Sequence, residues 1–270
     1  MILVRNEGYI TKILESFSLA GKAAVMTGGE GLFGRQAADA LYEAGAKLFI
    51  ASPLTEDLNR AAEEMRTAGG DVTPLYVDLG DEKSILDLAK KVITQAGHVD
   101  ILVNNAVVRP MKNYHDDASA FAESMKVNAT GNFIISRVFG DHMAERGYGS
   151  IINIASMQGM VAPDWTLYEG LGLDGYIPDY FYHKGGMIQY TRYLASQYGR
   201  SGVRANSISP GGLRSHRNTP EFVERYSKRT MLGRMAGPDD LKGAVVFLAS
   251  DASAYVTAAN IVVDGGYIAK

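Results

Sequence analysis

One tyrosine and one lysine of this chain are spaced for proton transfer. Tyr180 and Lys184 are four residues apart, so in a helix their side chains lie on one face, one turn from each other. A lysine ammonium held beside a phenol favours the phenolate, and such a tyrosine can exchange a proton with a substrate oxygen near neutral pH. The same spacing is also typical of a surface tyrosine beside a solvated lysine. The surrounding elements must therefore decide what the pair does.

A glycine-rich turn near the start of the chain is the second candidate site. The sequence Gly-Gly-Glu-Gly-Leu-Phe-Gly, residues 28–34, follows a predicted strand at 22–27 and precedes a predicted helix at 35–44. In that setting, glycines let backbone N–H groups approach a pyrophosphate at the helix N-terminus. A plain connection between two elements is the alternative reading of this turn.

Strands and helices alternate along nearly the whole chain, which is the pattern of right-handed βαβ crossovers and a parallel sheet. We therefore predict an α/β fold. It has one Rossmann-like, doubly wound parallel sheet of about seven strands, with helices on both faces. Residues 1–20 are expected to form an N-terminal extension, and residues 21–270 a single domain.

Polar residues stand at the carboxyl ends of the predicted strands, where ligands bind in such sheets. Asp78, Asn104 and Ser156 all occupy such positions. A long helix predicted over 118–146 contains Asn128, a poor mid-helix residue that could cap a kink or reach a site. Another helix is predicted over 238–250.

The composition excludes several classes of function. The 270 residues carry a net charge of −3, so nothing suggests nucleic acid or a membrane surface as a partner. The absence of cysteine excludes a disulfide scaffold and a cysteine zinc site, and the five histidines lack metal-ligand spacing, so no metal is expected. The chain has no long apolar run, and its opening lacks the apolar core of a signal peptide. We expect a cytoplasmic protein.

The motifs together resemble the short-chain dehydrogenase/reductase family over residues 21–266. They are, in chain order, the turn at 27–34, Asp78, Asn104-Asn105-Ala106, Asn128, Ser156, Tyr180 with Lys184, Pro210-Gly211 and Val263-Asp264-Gly265-Gly266. The stretches TGGEGLFGRQ, LYEG, HKGGMIQYTRYLA and SPGGLRS look like those of bacterial oxidoreductases of polysaccharide biosynthesis and flagellin-sugar modification.

The resemblance implies a catalytic set of four residues. Tyr180 would be the general acid/base, and Lys184 would favour its phenolate and hold the nicotinamide ribose. Ser156 would hydrogen-bond the substrate oxygen, and Asn128 would position a water that links Lys184 to solvent. The reaction would be hydride transfer between a nicotinamide cofactor and a secondary alcohol or ketone.

The resemblance also implies a set of cofactor-binding residues. They are Gly28, Glu30, Gly31, Leu32, Phe33, Gly34, Ser52, Asp78, Leu79, Asn104, Ala106, Tyr180, Lys184, Pro210, Gly211, Leu213 and Ser215. The middle glycine of the turn, Gly31, stands one place earlier than is usual in the family, with Leu32 in its place. After the second strand, Ser52 and Pro53 supply neither an acid for a ribose 2′-hydroxyl nor an arginine for a 2′-phosphate. The choice between NAD and NADP is therefore open.

Two segments are expected to surround the substrate. Ser156 and Tyr180 are 24 positions apart, about twice the family spacing, and the insertion at 157–179 is rich in aromatics and carboxylates that suit a polyhydroxylated ligand. Its candidate substrate residues are Gln158, Trp165, Tyr168 and Glu169, and Asp174, Tyr176 and Asp179 belong to the same segment. The resemblance implies that residues 212–236 form a cover over the substrate. This cover segment carries six basic residues against two acids, which favours an anionic substrate. We hypothesise a sugar or a sugar-derived alcohol or ketone, including anionic ones.

Alternatives remain open at this stage. The insertion could instead be an oligomer contact or a plain surface loop. The bases of the segment at 212–236 could instead lie on a solvated helix face. The chain could reduce a 3-oxoacyl thioester, or it could bind a dinucleotide without catalysis. The resemblance further suggests a homo-oligomer, a tetramer or a dimer, that packs through the predicted helices at 180–201 and 238–250.

Overall fold

The computed structural model describes residues 12–171 and 177–269. Of the expected N-terminal extension it describes residues 12–20, which include a 3-10 turn at Glu15–Phe17. Asp174 and Tyr176 of the predicted insertion lie outside the described residues.

The described residues form one sheet of seven parallel strands, which confirms the predicted fold class. The strand order is β3-β2-β1-β4-β5-β6-β7, and neighbouring strands pair in parallel throughout. The strands are β1 (Ala23–Thr27), β2 (Lys47–Ser52), β3 (Val72–Tyr76), β4 (Ile101–Asn104), β5 (Gly149–Ile154), β6 (Val203–Pro210) and β7 (Asn260–Val263). The order reverses between β1 and β4, so a crevice for a ligand opens where the ends of these two strands diverge.

Helices cover both faces of the sheet. They are α1 (Leu32–Glu43), α2 (Thr55–Thr67), α3 (Glu82–Ala96), α4 (Ala118–Met125), α5 (Asn132–Arg146), α6 (Pro178–Tyr198), α7 (Pro220–Ser227) and α8 (Lys242–Ala249). Apolar residues of α1, α2 and α8 pack on one face, and those of α3, α5 and α6 pack on the other. Because both faces are covered, the central strands are apolar on both sides, as in β1 and β4, which are buried along their whole length.

The prediction of one long helix over 118–146 is wrong in one respect, because the helix is interrupted. A π-helical turn, Lys126–Gly131, separates α4 from α5. Gly131 lies against the backbone of Leu79, where an added Cβ would be 2.3 Å from the Leu79 carbonyl oxygen. The widened turn also carries Asn128, and π-helical turns of this kind often mark functional sites.

Two further departures lie near the end of the chain. The helix predicted over 238–250 begins only at Lys242, because the carboxylate of Asp240 accepts a hydrogen bond from Gly237 N at 2.6 Å and pairs with Arg234, holding the preceding residues in a turn. No bounds were predicted for helix α7, although a solvated helix was the alternative interpretation of this segment. It lies in the predicted cover segment and starts with Pro220 after the capping residue Thr219. Within the described residues, no helix is long and apolar enough to cross a bilayer.

Candidate active site

The glycine-rich turn lies at the carboxyl end of β1 and leads into α1. Gly28 has a positive φ of 68°, and an added Cβ would be 3.0 Å from Cα of Ala106, which follows β4. Gly34 is packed more tightly still, because an added Cβ would be 1.9 Å from the Gly28 carbonyl oxygen. Gly31 caps α1 without a side-chain hydrogen bond, so N–H groups of the first turn remain available to a ligand. The cradle fits the pyrophosphate of a dinucleotide.

A second asparagine, absent from the predicted set, holds this cradle together. Asn105 donates from Nδ2 to the carbonyl oxygens of Thr27 and Gly28, at 3.1 and 2.8 Å. In return, Thr27 Oγ1 accepts the backbone N–H groups of Asn105 and Ala106, both at 3.1 Å. These four bonds fix the end of β1 to the end of β4. The sequence signal was present in the Asn104-Asn105-Ala106 motif, but the role falls to its second member.

The side chain of Asn104 points into the protein instead. It is buried, and its Nδ2 donates to Ser136 Oγ and to Asn153 Oδ1, both at 2.9 Å. It therefore braces α5 and β5 beneath the crevice. A direct cofactor contact by Asn104 stays a prediction.

The other predicted cofactor residues line the same edge of the sheet. Asp78 follows β3, and its Oδ1 accepts the N–H of Gly80 at 2.8 Å, which shapes the loop that holds Leu79. Leu32 is exposed at the first turn of α1, whereas Phe33 packs on the core. At the end of β2, Ser52 Oγ donates to Glu30 Oε1 at 2.6 Å.

Beyond β6, which ends at Pro210, the chain enters the cover segment. Gly211 N donates to Val263 O at 2.9 Å, and Leu213 bridges to Ala236, so both ends of the segment are anchored to each other. Ser215 is held by Asn218 Oδ1, which accepts its backbone N–H at 2.7 Å.

The structure brings the predicted serine, tyrosine and lysine to one place. Ser156 follows β5 and is 7% exposed, and its Oγ accepts the N–H of Gln158 at 3.1 Å, which leaves its own hydrogen to donate. Lys184 on α6 donates from Nζ to Ile154 O at 2.5 Å. That ammonium lies 5.8 Å from the ring centre of Tyr180. Helix α6 and the end of β5 thus meet at the crevice.

Burial and a nearby arginine lower the pKa of Lys184. Lys184 is only 2% exposed, and its burial, with a smaller contribution from positive Arg109, lowers its pKa to about 7. The guanidinium carbon of Arg109 lies 4.3 Å from the ring centre of Tyr180. Arg109 is exposed on the loop after β4, and within the described residues it forms no ion pair. Sequence reasoning missed Arg109, because only the fold brings it to the tyrosine.

Asn128 holds the loop that carries this arginine. Its Oδ1 accepts the N–H of Val108 at 3.0 Å, and its Nδ2 donates to Val108 O at 2.8 Å and to Ser124 Oγ at 3.0 Å. The π-helical turn widens the helix at this point and directs the amide toward the loop. The relay water implied by the resemblance stays a prediction for Asn128.

Two buried polar residues flank the tyrosine, of which Asp179 was named only as part of the insertion and His183 was missed as a functional candidate. Asp179 is 0% exposed and His183 is 4% exposed, and neither side chain has a hydrogen-bond partner in the described part of the chain. The His183 ring meets the Tyr180 ring edge-on, with centroids 5.2 Å apart. Burial lowers the pKa of His183 to about 3, and the charges of Lys184 and Arg109 add to the effect.

The insertion and the cover segment pack against each other. Met157, Leu167, Phe222, Tyr226 and Met235 form a buried apolar cluster shared by the two segments. Of the predicted substrate residues, Tyr168 packs on Phe222 at 5.3 Å between ring centres, and burial raises its pKa to about 12. Trp165 is 65% exposed, and Glu169 is exposed, with its backbone oxygen accepting a bond from Arg225.

The positive charge predicted for the cover segment is largely paired within the protein. Four of its six bases form ion pairs, and two of these bases bind the insertion. The pairs are Arg225 with Glu221, Lys228 with Glu224, Arg229 with Asp164 and Arg234 with Asp240. Arg214 and Arg217 alone among the six form no ion pair with a described residue. The local excess counted from the sequence is therefore wrong as a measure of the charge offered to a ligand.

A parallel sheet, a glycine cradle at the crevice and a serine, tyrosine and lysine beside it define a nicotinamide-dependent oxidoreductase. A family model described as enoyl-(acyl carrier protein) reductase matches residues 31–268. Galactitol 2-dehydrogenase (L-tagatose-forming) from Cereibacter sphaeroides is 33% identical, over 93% of this chain and 96% of that protein. The 2-dehydro-3-deoxy-D-gluconate 5-dehydrogenase of Pseudoalteromonas atlantica is 32% identical, over 96% of this chain and 100% of that protein.

Solved structures agree with the sequence comparison. A gluconate 5-dehydrogenase from Burkholderia cenocepacia J2315, in complex with NADP and tartrate, has a TM-score of 0.85 and 30% identity, over 96% of this chain and 100% of that one. The chain therefore belongs to the short-chain dehydrogenase/reductase family, as its motifs indicated. It is an NAD(P)-dependent oxidoreductase that acts on a CH–OH group. Solved relatives bind NADP or NADH, so both cofactors remain compatible with the family.

Proposed function

We propose that the protein interconverts a secondary alcohol and a ketone on a polyhydroxylated carboxylate, such as a sugar acid. The observation that carries this proposal is the position of Arg109, whose guanidinium carbon lies 4.3 Å from the ring centre of Tyr180. An arginine presents several N–H donors in a planar fork that matches a carboxylate. A substrate whose reacting oxygen meets Tyr180 would thus have its carboxylate within reach of Arg109, a few atoms away along the carbon chain.

The names of relatives support a substrate of this kind. Three of them, from Pseudoalteromonas atlantica, Bacillus subtilis and Escherichia coli, are 2-dehydro-3-deoxy-D-gluconate 5-dehydrogenases, and another is a cis-4-hydroxycyclohexanecarboxylate dehydrogenase. Neutral polyols are the other class, because relatives named for galactitol and D-threitol have comparable identity. Arg109 favours the first class for this chain.

Ser156 and Tyr180 act on the reacting oxygen of the substrate. Ser156 Oγ accepts the N–H of Gln158, so its hydroxyl hydrogen is directed away from that bond and can donate to the substrate oxygen. Tyr180 gives a proton to that oxygen in reduction and takes it in oxidation. A bound nicotinamide supplies or accepts the hydride at the adjacent carbon. The serine and the tyrosine thus steady the charge that develops on the oxygen.

Lys184 connects this proton transfer to its surroundings. Its Nζ is held by Ile154 O at 2.5 Å, and its lowered pKa of about 7 makes both of its protonation states available near neutral pH. It can therefore hold or release the proton that Tyr180 exchanges. Asn128 Oδ1 accepts one bond from Val108 and has capacity for a second, from a water on the relay path.

The insertion and the cover segment would keep water from the reacting atoms. Arg229 joins Asp164 and Thr166 of the insertion, and Arg225 donates to Glu169 O at 2.6 Å. The two segments can thus close as one unit over the crevice.

The substrate class is tested by kinetics on matched compounds. We expect higher kcat/KM for aldonates and their keto derivatives than for alditols of equal length. Arg109→Gln should raise KM for the carboxylates roughly 10- to 100-fold, the worth of a hydrogen bond to a charged group, and should change the alditol values little. Arg200→Gln is the matched control, since it removes an exposed arginine in the turn before β6, at the amino ends of the strands and away from the crevice. A preference for hydrophobic ketones or 3-oxoacyl thioesters would overturn the proposal.

The oligomeric state is part of the same proposal. Aromatic side chains lie exposed along α5 and α6, including Phe133, Tyr182 and Tyr193. An apolar surface of this kind favours packing against a second copy, as the family resemblance suggested. Light scattering of the purified protein should give a dimer or tetramer, and a stable monomer would contradict it. The cytoplasmic location stays a prediction from the sequence.

A further inference from the structure

A carboxylate from the glycine-rich turn reaches the end of the second strand. Glu30 lies in the turn between β1 and α1, and its Oε1 accepts a hydrogen bond from Ser52 Oγ at 2.6 Å. Ser52 is the last residue of β2, and its Oγ also accepts the N–H of Leu54 at 3.1 Å. The serine is therefore fixed from both sides, and it fixes the glutamate in turn.

This carboxylate lies at the end of the second strand, where dinucleotide-binding folds distinguish NAD from NADP. In dinucleotide-binding folds, an acid after the second strand accepts a hydrogen bond from the adenosine ribose 2′-hydroxyl. This chain has Ser52 and Pro53 there, so the strand itself supplies no acid. Glu30 brings one to the same strand end from a different element.

Half of the glutamate's hydrogen-bonding capacity is unused. Glu30 Oε2 is shielded from solvent and has no hydrogen-bond partner in the described part of the chain. A buried carboxylate oxygen without a donor is unfavourable, so a hydroxyl that approached it would be bound strongly. The terminal torsion of glutamate is broad, so a small rotation can turn this oxygen toward a ribose while Ser52 keeps its bond.

The arginine of helix α1, which follows the glycine-rich turn, is not available to a 2′-phosphate. Arg35 Nε contacts Asp39 Oδ1 at 2.9 Å, and its Nη1 contacts Glu64 Oε2 at 2.5 Å. Its charge is thus committed to two acids of the protein. A 2′-phosphate would meet the carboxylate of Glu30 with no cation of this helix to offset the repulsion.

We propose that Glu30 is the cofactor-specificity residue of this enzyme and gives it a preference for NAD(H) over NADP(H). The inference rests on the dinucleotide site at the glycine turn and is independent of the substrate class proposed above. Glu30 accepts the ribose 2′-hydroxyl and repels the 2′-phosphate, which carries a charge of about −1.5 to −2 at neutral pH.

The test is a binding measurement on the purified full-length chain without substrate. NADH and NADPH are titrated separately, followed by nucleotide fluorescence, into the wild type and into Glu30→Gln. The amide keeps the oxygen that accepts from Ser52 but removes the charge, so it separates a purely structural link from cofactor selection. Glu145→Gln, in the last turn of α5 at the opposite edge of the sheet, makes the same change in net charge and serves as the control.

We expect the wild type to bind NADH roughly 10- to 100-fold more tightly than NADPH, the worth of a charge-assisted hydrogen bond. Glu30→Gln should reduce this ratio by at least about ten-fold, mainly through tighter NADPH binding, and Glu145→Gln should leave it unchanged. Competition against bound NADH gives a second readout. In the wild type, AMP should displace NADH at lower concentration than adenosine 2′,5′-bisphosphate does.

Three results would overturn the inference. A wild type that prefers NADPH contradicts it directly, and this outcome does not depend on how well the variant folds. A ratio that is equal in the wild type and in Glu30→Gln would leave the Ser52 contact a structural link only. Binding of neither nucleotide to the wild type would overturn the dinucleotide site itself, and with it the proposed function, so that failure is distinguishable from the other two.

Discussion

Protonation of His183 should destabilise the folded chain as the pH falls. Its ring is 4% exposed, and burial, with the nearby charges of Lys184 and Arg109, lowers its pKa from 6.5 to about 3. The unfolded chain therefore binds one more proton than the folded chain between these two pKa values. Stability from this group is present above about pH 6.5 and is lost as the pH drops toward about 3.

The magnitude follows from the two pKa values. Between about pH 7 and about pH 5, the neutral ring of the folded state loses about 2 kcal/mol relative to the unfolded state. Urea unfolding at fixed protein concentration measures this for the wild type and for His183→Gln, which has no ring to titrate. We expect the wild type to lose about 2 kcal/mol more than the variant over this interval. The carboxylates of the protein titrate in both chains, so their contribution cancels.

His115→Gln is the control, because His115 is exposed and its replacement should leave the wild-type pH dependence intact. The reasoning fails if the wild type and His183→Gln lose equal stability. That result would mean that His183 is charged in the folded state without penalty. The buried carboxylate of Asp179, one helical turn away on α6, is the group that could compensate it.

Two further predictions concern residues that shape the crevice. Gly34→Ala places a methyl group where the Gly28 carbonyl oxygen is 1.9 Å away, so we expect NADH affinity to fall by at least about ten-fold in fluorescence titrations. The control Gly243→Ala, on an open face of α8, should bind NADH normally. Normal NADH binding by Gly34→Ala would contradict the assignment of the glycine-rich turn as the pyrophosphate site. Asn128→Ala removes three hydrogen bonds to Val108 and Ser124, and we expect the free energy of unfolding in urea to drop by about 1–3 kcal/mol and turnover to fall with it. Unchanged stability would mean that the loop after β4 is held by other contacts.

The sheet and the order of its elements could be predicted from the sequence because both depend on local patterns. Short apolar runs separated by helical periods fix a parallel sheet, and the residues after each strand necessarily meet at one edge. Ser156 was placed at this edge on this basis, and helical spacing paired Tyr180 with Lys184, but only the family resemblance joined the serine to that pair. Arg109 was missed, because it reaches Tyr180 across 71 positions and only the fold makes this contact. Glu30 and Ser52 were both predicted as cofactor-binding residues, but the hydrogen bond that joins them across 22 positions was not.

Local charge counts and helix periodicity failed for a similar reason. Arg229 pairs with Asp164 of the insertion, 65 positions earlier, and Arg234 pairs with Asp240, which lies just past the segment. A count within the segment could not include these two acids. The continuous helix over 118–146 was predicted from periodicity, which a π-helical turn disturbs by only one residue. Asn128 was the one local sign of the break, since asparagine is unfavourable inside a helix.

Turnover by Tyr180→Phe, measured together with NADH binding, tests the central claim most directly. Phenylalanine keeps the ring that meets Arg109 and His183 but removes the hydroxyl that exchanges the proton. We expect turnover to fall by roughly 10²- to 10⁴-fold, the usual worth of a positioned acid/base, with NADH affinity within about two-fold of the wild type. Undiminished turnover in a variant that binds NADH normally would contradict the assignment of Tyr180, and with it the reaction derived from this site.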